Sequence, residues 1–199
     1  MDSTPFKRAR ATLSAVVLIA SVGLAACGSD DSDSEEAAAA APSYEPALAE
    51  APPKLADLYA NGSELIDGGK QAYDSTLAGV RGYSAVVNNW GSWCGPCREE
   101  FPYFQSQAAE HLDEVAFFGV DTEDAPDAYS TFLEENPVPY PSVADPDREL
   151  SAWSDTALVG QPNTLYYDAA GELVFTHQGP YVSEEALAAD IEKYALSSQ

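Results

Sequence analysis

The segment Ser84-Ala85-Val86-Val87-Asn88-Asn89-Trp90 carries apolar side chains at consecutive positions, which predicts a buried strand. Val115-Ala116-Phe117-Phe118-Gly119-Val120-Asp121 is a second continuous apolar run, the mark of a central parallel strand. Between the two, residues 98–111 hold no obvious breaker after Pro102 and predict a helix. Asp124-Ala125-Pro126 opens another helix to about Glu135, with its proline in the first turn, and Pro137, Pro139 and Pro141 end it. Ser142-Val143-Ala144 predicts a short strand, and residues 147–153 a short helix. Residues 164–168 and 172–177 flank Ala169-Ala170-Gly171 as the arms of a hairpin. Ser183 caps a final helix to about Leu196, with Glu184 and Glu185 in its first turn. Before Ser84 the pattern is weaker: Leu55, Leu58, Tyr59, Leu65 and Ile66, punctuated by Asn61-Gly62 and Gly68-Gly69, suggest short strands and turns. Strands separated by helices imply a parallel core, to which a hairpin adds antiparallel edge strands. The predicted class is α/β, a central mixed sheet flanked by helices, occupying residues 53–199 as one domain.

The front of the chain follows another logic. Lys7, Arg8 and Arg10 precede an uncharged run over residues 11–26, rich in Ala, Val, Leu and Ile. That run is short for a membrane-spanning helix, which needs about 20 residues, and suits the apolar region of a signal peptide. It ends in Leu24-Ala25-Ala26-Cys27-Gly28, which resembles the lipobox of bacterial lipoproteins. The resemblance implies that residues 1–26 are removed and that Cys27 carries a lipid holding the protein on the extracytoplasmic face of the cell membrane. Residues 27–52 then form an acidic, alanine-rich tether with little to bury, expected to be disordered.

Charge narrows the partners. The net charge is -24, and residues 1–26 leave 6 of the 9 basic and 32 of the 33 acidic side chains to the rest. Such a surface repels nucleic acid, which is excluded as a partner, and favours basic ones; a merely solubilising acidic surface is the plainer reading.

Two of the three cysteines stand in Trp93-Cys94-Gly95-Pro96-Cys97, where a predicted strand gives way to a helix. Unpaired N–H groups and the dipole at a helix start favour a thiolate, and thiols in such a motif titrate well below the ordinary value. Cys94 should then be the attacking nucleophile and Cys97, one turn in, the resolving thiol. Pro96 fits the first turn because it lacks an N–H that has no partner there. A zinc half-site would need ligands that His111, His177 and a lipidated Cys27 poorly supply, and a purely structural disulfide of so short a loop gains little. No metal or cofactor is expected. His111 is more simply a favourable charge at a helix end, His177 a surface or packing residue, and Trp90 and Trp153 core.

The stretch Asn88-Asn89-Trp90-Gly91-Ser92-Trp93-Cys94-Gly95-Pro96-Cys97-Arg98-Glu99-Glu100-Phe101-Pro102, with Tyr140-Pro141-Ser142-Val143-Ala144-Asp145-Pro146-Asp147 and Gly160-Gln161-Pro162-Asn163-Thr164, resembles the thioredoxin superfamily and within it the membrane-anchored TlpA/ResA-type disulfide reductases. The resemblance implies a thioredoxin-like fold and a cis-proline at Pro162, which would turn the Gln161 backbone toward a substrate peptide. It places at Glu100 an acidic residue beside the disulfide; Glu100 is also i,i+3 from Cys97, close enough to exchange a proton with it. Asn88 stands where cytoplasmic thioredoxins carry a buried Asp, a departure that agrees with the membrane-anchored branch. Trp93 should shield the disulfide and contact substrate, with Gly95 and Pro96 supporting it. The implied activity is reduction of disulfides in exported proteins such as apocytochrome c, fed by a membrane thiol carrier, with the protein taken as a monomer. The same chemistry run as an oxidase, or a copper-binding lipoprotein on this fold, are the alternatives; CxxC spacing argues against the second.

Overall fold

The structure, a computed structural model, describes residues 43–197. The expected signal peptide, Cys27 and most of the expected tether therefore lie outside the described residues. Seven α-helices and six strands follow in the order α1 (Glu45–Glu50), α2 (Pro53–Tyr59), β1 (Leu65–Ile66), α3 (Gly69–Gly79), β2 (Ser84–Trp90), α4 (Gly95–His111), β3 (Val115–Thr122), α5 (Pro126–Glu135), β4 (Ser142–Asp145), α6 (Leu150–Trp153), β5 (Asn163–Tyr167), β6 (Leu173–Gln178) and α7 (Glu184–Asp190). After α7 the chain continues in π-helical geometry over Ile191–Leu196, where one plain helix was predicted.

The strands form one mixed sheet in the order β1-β4-β3-β2-β5-β6. β2 runs parallel to β3 from Ser84 opposite Val115 to Trp90 opposite Asp121. On its other edge β2 runs antiparallel to β5, Asn89 opposite Asn163. Every residue of β2 and β3 is buried, as their unbroken apolar runs require. This is the mixed, helix-flanked sheet that the pattern predicts.

Residues 44–51 pack on this body, and two elements differ from the sequence reading. The Tyr44 hydroxyl donates to the Pro137 carbonyl at 3.1 Å, and Ala47, Leu48 and Ala51 pack on the core. Tyr44 and Leu48, four residues apart, fall on one helical face, so the end of the expected disordered tether does have something to bury. Residues 53–59 are helical rather than a strand; Leu55, Leu58 and Tyr59 stand at i, i+3 and i+4 and are its buried face. Pro53 sits at the helix start, where proline is tolerated. The helix expected over 147–153 begins only at Leu150, because the Asp145 carboxylate accepts from the Glu149 and Leu150 N–H groups at 2.7 and 3.1 Å and fixes its first turn there.

The core next to the site is aromatic. Trp90, at the end of β2, packs its ring 4.9 Å from Phe101 of α4 and 5.2 Å from Phe132 of α5, and its Nε1 donates to Ser142 Oγ at 3.2 Å. Gly119 leaves room for this. A Cβ there would collide with Ser142 Oγ and come within 2.8 Å of Trp90 Nε1. Among the described residues no helix is long and apolar enough to cross a membrane.

Gly119→Ala is expected to destabilise the protein by about 1–3 kcal/mol, the ordinary range for overpacking a filled core. Urea unfolding followed by tryptophan emission checks this; an unchanged midpoint would contradict the packing described.

Candidate active site

β2 delivers the chain through Trp90-Gly91-Ser92-Trp93 to the start of α4. Cys94 is the N-cap residue of that helix, Pro96 lies in its first turn, and Cys94 and Cys97 are joined as a disulfide. The Cys97 N–H donates to Cys94 Sγ at 3.3 Å. A sulfur at this point occupies the place of a capping oxygen, so negative charge on Cys94 is favoured once the bond is reduced. Cys97 is fully buried, whereas Cys94 retains 4% of its surface. Of the two, Cys94 is the less deeply buried.

The loop before Cys94 is held from β3. Ser92 donates from both its N–H and its hydroxyl to the Asp124 carboxylate, each at 2.8 Å. Trp93 Nε1 donates to the Thr122 carbonyl at 2.9 Å, leaving the indole 52% exposed beside Cys94. Gly91 makes this fold of the loop possible, since a Cβ there would sit 2.7 Å from Trp93 Nε1.

From the other side comes the turn before β5. The Gln161–Pro162 peptide bond is cis. Gln161 Nε2 donates to the Trp90 carbonyl at 3.4 Å, and Arg148 Nη2 donates to Gln161 Oε1 at 3.4 Å. Asn163 Nδ2 donates to Asn89 Oδ1 at 3.3 Å, tying the turn to β2. Gln161 and Arg148 also line a polar cleft of about 270 Å³ with Asn89, Thr122 and Asp145.

Glu100 lies on the buried face of α4, three residues beyond Cys97. It is 1% exposed, unlike its neighbour Glu99, which faces solvent. Its Oε2 accepts from the Tyr181 N–H at 2.8 Å, and Oε1 has no hydrogen-bond partner among the described residues. Burial pushes its pKa up to about 8, against the opposing pull of the Tyr181 N–H, so the carboxyl is largely protonated at neutral pH. Asn88 is buried in β2 near Tyr140 and contributes no charge. Gly95 has open space around it, and both Gly95 and Pro96 are exposed.

Comparison with known proteins gives this constellation a family. The AhpC/TSA family model matches residues 60–176, more than half of the chain. The chain belongs to the AhpC/TSA family. Within it, the chain is 32% identical over 127 residues to the thiol:disulfide interchange protein DsbE homolog of Paracoccus denitrificans, covering 62% of this chain and 65% of that one. It is 31% identical over 100 residues to the thiol-disulfide oxidoreductase ResA of Bacillus subtilis, covering 49% and 54%. It thus spans less than two thirds of the length of these relatives. A DsbF homologue from Corynebacterium diphtheriae superposes with a TM-score of 0.52 at 24% identity, over 59% of this chain and 75% of that one, a likeness of fold. The fold is thioredoxin-like, with its mixed sheet of six strands.

This family member gathers groups around its disulfide that the sequence reading did not single out. Asp121, at the end of β3, is buried with Oδ1 unpartnered. Its pKa is pushed up to about 9, chiefly by burial and then by the Asp124 and Asp145 carboxyls facing it. Asp124 clamps Ser92, Arg148 spans from Trp93 to Gln161, and the Tyr181 N–H holds Glu100. Only the acidic run after β3 hinted at the first two; pairing between distant loops has no local signature. His111 instead bonds Glu114 through Nδ1 at 2.9 Å, and His177 stacks on Tyr181 with ring centroids 3.9 Å apart.

Glu100 and Asp121 give the protein a signed pH dependence. Both bind their protons more tightly folded than unfolded, so their contribution is fully present below about pH 4 and is lost as pH rises toward 8 and 9. Each such carboxyl lowers stability by about 1.4 kcal/mol per pH unit within its window. Urea unfolding of the oxidised protein at pH 5, 7 and 9 is expected to show this fall, and Glu100→Gln with Asp121→Asn to flatten it. An equally steep fall in the double variant would mean that other groups carry it.

Proposed function

We propose that this protein is a lipid-anchored thiol–disulfide oxidoreductase of the extracytoplasmic face of the bacterial membrane, reducing disulfides in exported proteins such as apocytochrome c. The observation that carries the reading is the Cys94–Cys97 disulfide at the N-terminus of α4, with Cys97 the more deeply buried of the two. The family match and the relatives named as thiol-disulfide proteins support it. The anchor at Cys27 is supported by the lipobox-like residues 24–28 and by the apolar run before them.

In the reduced protein the Cys94 thiolate attacks one sulfur of the substrate disulfide. A Cys94–substrate bond forms and the other substrate sulfur leaves as a thiolate, which takes up a proton. Cys97 then loses its proton and attacks Cys94 Sγ. The mixed disulfide breaks, the second substrate thiolate is released and protonated, and the Cys94–Cys97 disulfide closes. Two electrons have passed to the substrate; a membrane dithiol carrier restores them by the same exchange in reverse. Glu100, one turn from Cys97 and sheltered from water, is the group that takes and returns the Cys97 proton. Gln161 and Pro162 hold the substrate backbone beside Cys94, Trp93 covers it, and Asn88 keeps the floor of the site uncharged.

Direction is set by the reduction potential, measured by equilibrating the pair against dithiothreitol or glutathione. A value near about −270 mV or below is expected for a reductase, whereas one near about −120 mV would make the protein an oxidant that inserts disulfides. Cys97→Ser is expected to accumulate mixed disulfides with a substrate protein, and Cys94→Ser to form none.

The role of Glu100 has its own readout. Resolution of the mixed disulfide should accelerate through about pH 8 as the carboxyl ionises and slow by roughly a hundredfold in Glu100→Gln. A pH profile unchanged by that substitution would remove Glu100 from the proton transfer.

A further inference from the structure

One residue meets Glu100 through its backbone and four elements through its side chain. Tyr181, in the loop between β6 and α7, gives its N–H to Glu100 Oε2 at 2.8 Å. Its ring lies inside the protein, only 4% exposed. His177 of β6 stacks on that ring, with centroids 3.9 Å apart. Phe104 of α4, one turn beyond Glu100, meets it edge-on at 6.3 Å. The Tyr181 hydroxyl donates to Asp190 Oδ2 of α7 at 2.8 Å and accepts from the Tyr166 hydroxyl of β5 at 2.8 Å. Asp190 Oδ2 also lies 3.4 Å from His177 Nδ1. The loop is not drawn inward as a whole, since Val182, next in the chain, stands almost wholly in water. What is fastened is Tyr181. With its phenol end held by two bonds and its ring packed, the N–H end has little freedom to leave the carboxyl.

That N–H is the one hydrogen-bond donor to Glu100 among the described residues. It favours the carboxylate over the acid, against the burial that favours the acid. The other titratable groups facing Glu100 are Cys97, one turn back on the same helix, Tyr140 before β4 and Tyr166 on β5. Burial holds both phenols well above their ordinary range, so neither changes charge where Glu100 does. The donor from Tyr181 is therefore the polar contact by which the fold tunes this carboxyl.

We propose that Tyr181 is a positioning residue: its side chain, anchored by Asp190 and Tyr166, keeps its N–H on the Glu100 carboxyl while that group takes the Cys97 proton. This rests on the role given to Glu100 above and adds the residue that sets the pH at which Glu100 acts. Without the anchor the N–H draws away, the carboxylate loses its donor, and the acid form persists to higher pH.

The test uses the full chain, reduced, and an aromatic disulfide that releases a coloured thiolate. The first equivalent released reports attack by Cys94, and the second reports resolution by Cys97. Tyr181→Phe keeps the ring and the N–H but loses both hydroxyl bonds. Its resolution step is expected to titrate about one pH unit higher than in the parent protein, the order that follows from weakening a bond to a charged group. Resolution is then about tenfold slower at about pH 7 and nearly equal at about pH 10, while the first equivalent keeps its rate. Loosened packing alone would slow resolution by one factor at every pH, and that result, like an unshifted profile, would overturn the proposal. Asp190→Leu should reproduce the upward shift, and Asp190→Asn, which keeps an acceptor for the hydroxyl, should restore most of the parent profile. A downward shift in Asp190→Leu would mean that Asp190 acts on Glu100 through its charge, and would overturn the anchor. In a Glu100→Gln background, Tyr181→Phe should change nothing further. A second-equivalent profile indifferent to Glu100→Gln would sink the role of Glu100 on which the proposal rests. Release of neither equivalent would instead sink the redox reading itself.

Discussion

The site depends on β2 being hydrogen-bonded along both edges, parallel to β3 and antiparallel to β5. A strand held in this way cannot shift its register without flipping every buried side chain to the wrong face. Its end at Trp90 is therefore fixed relative to Thr122 on one side and Asn163 on the other. The three loops that leave these strands carry the disulfide, the Asp124 clamp and the cis-proline turn. Short bonds between them, from Ser92 to Asp124, Trp93 to Thr122 and Gln161 to Trp90, hold the loops at angles that the sheet already sets.

Burial then divides labour between chemically similar groups. Cys94 and Cys97 differ by three positions in sequence, yet only Cys94 keeps any surface. Glu99 and Glu100 are adjacent, but one stands in water and the other is buried with its pKa raised. The 100° step of the helix makes that distinction, turning neighbours onto different faces. Asp121 and Asp124 divide in the same way: the first is buried and holds its proton, and the second receives both donors of Ser92. The acids around the disulfide are thus of two kinds, those kept neutral inside and those left charged at the rim.

Much of this was legible in the residues. The continuous apolar runs of β2 and β3 announced central strands because such strands are covered on both faces. The CxxC at a strand-to-helix junction announced redox chemistry, since two sulfurs one turn apart at a helix start are poised for exchange. The stretch before Ser84 was misjudged. There the i, i+3, i+4 spacing of Leu55, Leu58 and Tyr59 is short, and the nearby Asn61-Gly62 and Gly68-Gly69 read as turns between strands. The packing of Tyr44 was not legible, because a lone aromatic in an acidic, alanine-rich stretch does not show where it will pack.

By itself, the sequence determined the α/β order, the CxxC pair at a helix start and the helical proximity of Cys97 and Glu100, features written in local pattern or fixed spacing, whereas the cis-proline followed from the family resemblance. Only the tertiary structure decided that Glu100 is bound by the Tyr181 N–H, that Asp121 faces two other carboxyls, and that Arg148 bridges Trp93 and Gln161. The physical reason is the same in each case. A pKa or a hydrogen bond between distant loops depends on which segments the sheet brings together and on how much water they exclude, and neither quantity is carried by any single stretch of chain.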